Sequence, residues 1–206
     1  VRALNSDSPK LIVSMLPLPD QKEPLATTQF FSQAATGTPF YFAREDVQAP
    51  GDVSHLSLPR DLQRFPVLEA ALSADKTNFA ADGVSRRTIV AIEGRNLGAA
   101  EVAKFLRNSP LPEKFRGEFE FRNSRQVYTD FRESGSYPRI EFRDASQGRF
   151  PKGSVTGKVV LIGVDSGTQT DDYLKNPFSR DATAMSKVEV FANGIDTLAQ
   201  NSGPIK

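Results

Sequence analysis

Cysteine and tryptophan are absent from this chain, and histidine occurs once, at position 55. Disulfides, thiolate metal sites and cysteine nucleophiles are therefore excluded, and the lack of cysteine suits an oxidising or a reducing compartment equally. Excess charge is missing as well. Against 26 Lys and Arg stand 25 Asp and Glu, a formal net charge of +1 that supplies no field to gather nucleic acid. No apolar run approaches the ~20 residues needed to cross a bilayer. The chain opens at Val1 with neither Met nor a signal-like segment, and it reads as a soluble fragment.

What is present is an ordinary globular composition: 206 residues, 38% of them hydrophobic, enough for one sizeable core and a single domain over residues 1–206. "KLIVSML" is a short apolar run closed by proline, the form of a buried strand. "PLATTQFFSQAATG" then predicts a helix and "TPFYFA" a second strand, a βαβ unit whose right-handed crossover makes the two strands parallel. The segment from Arg44 to Pro59 lacks a helical stripe and reads as a surface loop. "FPVLEAALSA" predicts a short helix, "KTNFAADGVSRRTIVAI" a hairpin turning at Asp82-Gly83, and "GAAEVAKFLRN" a helix with Val102, Phe105 and Leu106 on one side.

Alternation in "GEFEFR" and "PRIEF" predicts two half-buried strands toward an edge. The four consecutive aliphatics Val159 to Ile162 predict a central strand with both faces covered. Val188, Phe191, Ile195 and Leu198 mark a closing helix that lies on the sheet. The fold class is α/β, with a mixed, mainly parallel central sheet and helices on both faces.

Open α/β sheets bind ligands beyond the carboxyl ends of their strands, which places "DSGTQTDD" at a rim position after Val164. Asp165, Ser166, Asp171 and Asp172 are the candidate ligand-binding residues there. The same residues also fit a polar turn, with Asp165 and Ser166 satisfying backbone donors. Three aspartates fall short of the six to eight oxygens Ca²⁺ takes, and the twelve-residue loop pattern is missing, so no metal is assigned. A serine hydrolase would need Ser166 with His55, but Asp165 holds the central position that the nucleophile elbow reserves for Ser. Neither phosphate-cradling glycine pattern occurs, and no cofactor is expected.

Arg86 and Arg87 are candidate anion clamps. On a strand they point to opposite faces, so only one of them can face a given pocket. The bland alternative pairs one arginine with a nearby carboxylate and leaves the other in solvent. Asn193 and Asp196 on the closing helix fit either a binding or a structural role. The aromatics between Phe115 and Phe142 are interleaved with balanced charge, which favours core packing over a nucleic-acid platform.

Three stretches resemble the CHASE2 family of extracytoplasmic sensory domains of bacterial membrane receptors. "TNFAADGVSRR" resembles the family's Asn-then-Asp-Gly-Val-x-Arg-Arg stretch, and "YPRIEFRDASQGRFPKGSVTGKVVLIGV" its block ending in Gly-Lys-Val-Val-Leu-Ile-Gly. "TDDYLKNPFS" followed by "KVEVFANGIDTLAQ" resembles its Asp-x-x-x-x-Pro turn and closing helix. Lys187 stands where the family usually has Gly and Phe191 where it has His, while Glu189, Ala192, Asn193, Ile195, Asp196 and Leu198 agree. The likeness is good from about Asn78 to Gln200.

The resemblance implies a non-catalytic periplasmic domain of an inner-membrane protein, excised from a longer receptor with its own transmembrane helices. It further implies control of a cytoplasmic effector such as an adenylate or guanylate cyclase or a histidine kinase. The stimulus, small molecule or protein, is unspecified, and a homodimer is compatible with this role. The competing expectation is an envelope protein-protein interaction module without a small-molecule ligand.

Overall fold

The computed structural model of the chain describes residues 2–16, 37–44, 67–69, 82–107, 109–121, 123–165, 172–179 and 184–205. The run Leu11–Ser14 (β1) is buried at every position, and it pairs in parallel with Phe40–Arg44 (β2) on one side and Val159–Ile162 (β8) on the other. Val67–Glu69 (β3) adds to β2, again in parallel, so the sheet order is β3-β2-β1-β8. Burying Leu11, Ile12 and Val13 completely contributes about 1.5–3 kcal/mol per side chain.

A second, antiparallel sheet is built from Arg87–Ile92 (β4), Arg95–Asn96 (β5), Phe119–Phe121 (β6) and Ser124–Tyr128 (β7), in the order β5-β4-β7-β6. Its tight hairpin turns at Glu93 and Gly94, both at positive φ, 49° and 78°. The paired dihedrals match the right-handed twist of the flanking strands.

Two long helices, Gly98–Arg107 (α2) and Lys187–Gln200 (α4), lie between the sheets. One continuous core joins Leu11 and Val13 of β1, Val90 of β4 and Val127 of β7 to Val102 of α2 and to Phe191, Ile195 and Leu198 of α4. The outer face of the parallel sheet is covered by Leu4 of the short helix Arg2–Asn5 (α1), by Ile140, and by Phe150 and Val155 of the 149–158 loop; the short helix Phe142–Gln147 (α3), with no buried residue, follows Ile140 and packs beside α1.

Helix α4 is the central member. Gly194 in its middle costs about 1 kcal/mol relative to alanine in helix propensity. A Cβ there would stand 2.6 Å from Thr88 Oγ1, so glycine lets the helix settle onto β4. Between β8 and α4 runs a short antiparallel ribbon, Tyr173–Leu174 (β9) with Met185–Ser186 (β10), and Val84 bridges in parallel to Lys175 beside it.

Several expectations are met. The fold is α/β, β1 and β2 are adjacent and parallel, both stripe-marked helices form, and "GEFEF" supplies edge strand β6. Others need correction. The parallel strands form one sheet and the antiparallel strands a second four-stranded sheet and the two-stranded ribbon, instead of mixing in one. Val159–Ile162 is the edge of the parallel sheet and half-buried throughout, because β1 takes the centre.

Val67–Glu69 is a strand where a helix was expected: its register on β2 pairs Leu68 with Ala43. "PRIEF" forms no strand; Ile140 reaches the outer core while Phe142 opens α3 at 68% exposure. The expected first arm of the Asp82-Gly83 hairpin, the helix following β1, the loop after Arg44 and His55 lie outside the described residues.

The N-terminal segment is tied down by Asp7, whose carboxylate accepts the amides of Gly153 at 2.6 Å and Val155 at 3.0 Å. These two backbone donors favour the ionised form and hold the Asp7 carboxyl below its ordinary value. A native value below the unfolded one adds stability that is complete above about pH 4 and is lost as pH falls through the native value. Asp7→Asn is therefore expected to unfold at a lower temperature than the unsubstituted chain at pH 7. The gap should close below about pH 4, as thermal melts across that range would record.

Candidate functional site

Strand β8 leaves the sheet through Gly163, where a Cβ would come 2.7 Å from the Cβ of Val188 in the first turn of α4. The missing side chain brings the strand's exit against the helix and sets Asp165 at the sheet rim. Asp165 accepts a hydrogen bond from the Tyr173 hydroxyl at 2.9 Å and pairs with Arg139. The other arm of the Arg139 guanidinium reaches Glu189 Oε2 at 3.0 Å, so one half-exposed arginine joins the end of β8 to α4. Glu189 is only 5% exposed. Its carboxylate also accepts the Gly135 amide at 2.6 Å and the Ser134 hydroxyl at 3.2 Å.

Glu189 opens a polar stripe along α4 that continues through Asn193 and Thr197, each four residues further on and so on the same face. Asn193, with no solvent exposure, accepts the Arg132 amide at 2.8 Å and donates to the Glu189 carbonyl at 2.8 Å. Thr197 accepts the Asp130 amide at 2.9 Å. Beside them Asp196 pairs with Arg132 at 2.8 Å and accepts the Tyr137 hydroxyl at 3.1 Å. Burial first, then the Asp196 charge and hydrogen bond, push the Tyr137 phenol upward, so it stays a neutral donor. A polar face of this kind would be a liability on a buried helix unless satisfied. Here it fastens the irregular 130–139 segment by its own backbone amides.

The residues singled out in the sequence divide. Asp165 is in the network. Asp172 immediately precedes β9, and its Oδ2 is shielded from solvent with no hydrogen-bond partner among the described residues. Ser166 and Asp171 lie outside the described residues. Arg86 turns to Asp82, with contacts of 2.5 and 2.8 Å, and these hold the Asp82 carboxyl down to about 2. Arg87 turns the other way, as strand alternation requires. It is buried rather than solvated, bonded to Gln126 Oε1 at 2.5 Å with its guanidinium 5.5 Å from the Phe121 ring centre. The two arginines therefore form no common clamp. The aromatics bear out core packing in part: Phe115 and Phe131 are buried, Phe142 is not.

From the sequence, Arg139 and Tyr173 take no site role, and Glu189 takes none beyond its agreement with the family's closing helix. The available signal was the Glu189, Asn193, Thr197 spacing on the face of α4 opposite its apolar stripe. Chemically the cluster offers ion pairs and hydrogen bonds, and the Ser134 hydroxyl rests on a Glu189 carboxylate already engaged by Arg139 and the Gly135 amide. The described residues contain no group of three His, Cys, Asp or Glu arranged for a metal. A crevice between β4, α2 and α4, lined by Thr88, Ala99, Phe191 and Gly194, measures about 10 Å³. That is the size of one water, far below a small-molecule pocket.

The architecture is that of a three-layer α/β module whose central helix is clamped by a polar network at the rim of its parallel sheet. The chain belongs to the CHASE2 family: the family's CHASE2 domain model matches residues 1–205. CHASE2 domains are extracytoplasmic sensory domains of signalling receptors, which makes this chain a sensory domain. Neither a curated protein nor a solved structure matches it. No helix among the described residues is long and apolar enough to cross a membrane.

Proposed function

We propose that the chain is the periplasmic input domain of an inner-membrane receptor and that it controls a cytoplasmic nucleotide cyclase or histidine kinase without performing catalysis itself. The stimulus acts at the β8 rim, around Asp165, Arg139 and Tyr173, and biases the position of α4. The observation that carries this reading is the Arg139 bridge, which links the exposed end of a strand to a helix buried on nearly every side. A signal of this kind requires the stimulus to favour one arrangement of the network over another, since equal affinity for both shifts nothing.

The test is made in the receptor with its native membrane segments and effector. Arg139→Ala and Asp165→Asn are expected to alter stimulus-dependent effector output by about tenfold, the effect of ~1.4 kcal/mol of coupling. Output identical to that of the unsubstituted receptor under every condition would sink the reading.

A second reading, an envelope protein-interaction module, draws on Phe142 and Phe178, whose rings are 68% and 66% exposed. Phe142→Ser with Phe178→Ser would abolish partner capture and leave small-molecule responses intact on that reading.

A further inference from the structure

Asparagine is followed by glycine at one place in the chain, Asn193-Gly194, and that pair sits in the middle of α4. In a mobile chain such a pair readily modifies itself, because glycine sets no side chain between its own amide nitrogen and the asparagine carboxamide carbon. In the folded domain both reactants are held. The Asn193 side chain, closed to solvent, accepts the Arg132 amide at 2.8 Å and donates to the Glu189 carbonyl at 2.8 Å and to Met185 Sδ at 3.4 Å. The buried Gly194 amide is committed to the helix ladder, and the helical backbone does not bring it into line with the carboxamide carbon. Neither residue can be exchanged without loss. A Cβ at 194 would stand 2.6 Å from Thr88 Oγ1, and the carboxamide supplies a donor and an acceptor together, as a carboxylate does not.

We propose that Asn193-Gly194 is a covalent modification site that opens only when α4 leaves its place, and that its reaction makes the loss of the fold permanent. Once the helix is undone, hydroxide takes the Gly194 amide proton and the nitrogen attacks Asn193 Cγ. The new N–Cγ bond closes a five-membered succinimide. The Cγ–Nδ2 bond breaks, and Nδ2 leaves as ammonia with a proton from water, which regenerates the hydroxide. Water then adds to one of the two ring carbonyls and reopens the ring to a carboxylate, so no oxidant or further reactant enters. One opening leaves aspartate at position 193; the other leaves isoaspartate, whose main chain runs through the former side chain and is one carbon longer. The native site refuses both. A carboxylate cannot donate to the Glu189 carbonyl and brings an unpaired charge into a closed setting. An extra main-chain carbon breaks the helix ladder at its centre. This inference is independent of which stimulus or effector the domain serves.

The test incubates the unsubstituted chain at mildly alkaline pH, in native buffer and in urea. Mass spectrometry follows the tryptic peptide from Val188 to Lys206, with fragmentation to separate Asn193 from Asn201. In urea the peptide is expected to gain about 1 Da at position 193, part of it as isoaspartate. In native buffer the rate should be lower by at least about a hundredfold, because only the open fraction reacts and a core helix opens with a free energy near that of the whole fold. Chains modified in urea should stay unfolded on dilution while the unmodified remainder refolds. Equal rates in the two conditions, no reaction in urea, or return of modified chains to the unsubstituted stability overturns the proposal.

Glu189→Ala loosens α4 without altering the reacting pair. It is expected to speed the reaction in native buffer about tenfold or more and to leave the rate in urea unchanged. Should that variant fail to fold, Arg139→Ala makes the same test through a half-exposed contact, with a severalfold increase expected. An unaltered native rate in a variant that urea titration shows to be destabilised overturns the proposal as well.

Discussion

Replacing Asn193 with alanine is expected to lower the free energy of unfolding by about 3 kcal/mol. The side chain is inaccessible to solvent; it accepts a hydrogen bond from the Arg132 amide and donates to the Glu189 carbonyl and to Met185 Sδ. Truncation leaves the Arg132 amide without its acceptor, at about 1–3 kcal/mol, while the Glu189 carbonyl keeps its helical partner, the amide of residue 193. The small cavity adds to this. A urea titration should show the midpoint falling by about 1–1.5 M with an unchanged slope. Asn193→Asp keeps the acceptor for Arg132 but sets a second carboxylate oxygen against the Glu189 carbonyl in a site closed to solvent, and a loss at least as large as that of alanine is expected. If both variants unfold at the unsubstituted midpoint, the polar stripe of α4 is not what holds the 130–139 segment.

The Arg139 bridge should respond unequally at its two ends. Glu189→Ala is expected to cost about 3 kcal/mol, because the Gly135 amide and the Ser134 hydroxyl lose a charged acceptor in a buried setting. Arg139→Ala should cost nearer 1–2 kcal/mol: its guanidinium is 50% exposed, and solvent screens much of its attraction to both carboxylates. Salt separates the two mechanisms. The Arg139 loss should shrink as ionic strength rises, whereas the Glu189 loss, carried largely by short hydrogen bonds to the backbone and a hydroxyl, should persist. Arg139→Lys is expected to recover little, since an ammonium cannot reach Asp165 and Glu189 at once as the two arms of a guanidinium do. Equal losses for Glu189→Ala and Arg139→Ala, with equal salt dependence, would contradict this account. Urea unfolding at low and high salt checks it.

Helix α4 was legible because Val188, Phe191, Ile195 and Leu198 repeat at helical spacing, and the last three of them are buried between the sheets. Its polar face was not, because the loop partners of Glu189, Asn193 and Thr197 lie 50 residues or more away in a segment without periodicity. Strand β8 shows a different limit. A run of aliphatics records that both faces are covered, which is true of Val159–Ile162, and carries no information on whether the edge is paired. For the same reason the pattern could not separate one mixed sheet from two.

Val67–Glu69 is too short for a period of two to register, and its proline-led setting invites a helix. "PRIEF" alternates correctly, yet Ile140 is placed by the outer core and Phe142 by the start of α3. Of the candidate site, Asp165 was found through the general position of strand ends, while Arg139 carries no local signal among the chain's other arginines.

Helix α4 touches both sheets, rests on Thr88 through a glycine, and hands its last carbonyls to Arg107 and to the amides of Asn201 and Ser202. A rod gripped along its whole length cannot slide like a piston without dragging its sleeve. Force applied at either end of it is therefore passed on as a tilt or turn of the helix together with the elements that grip it.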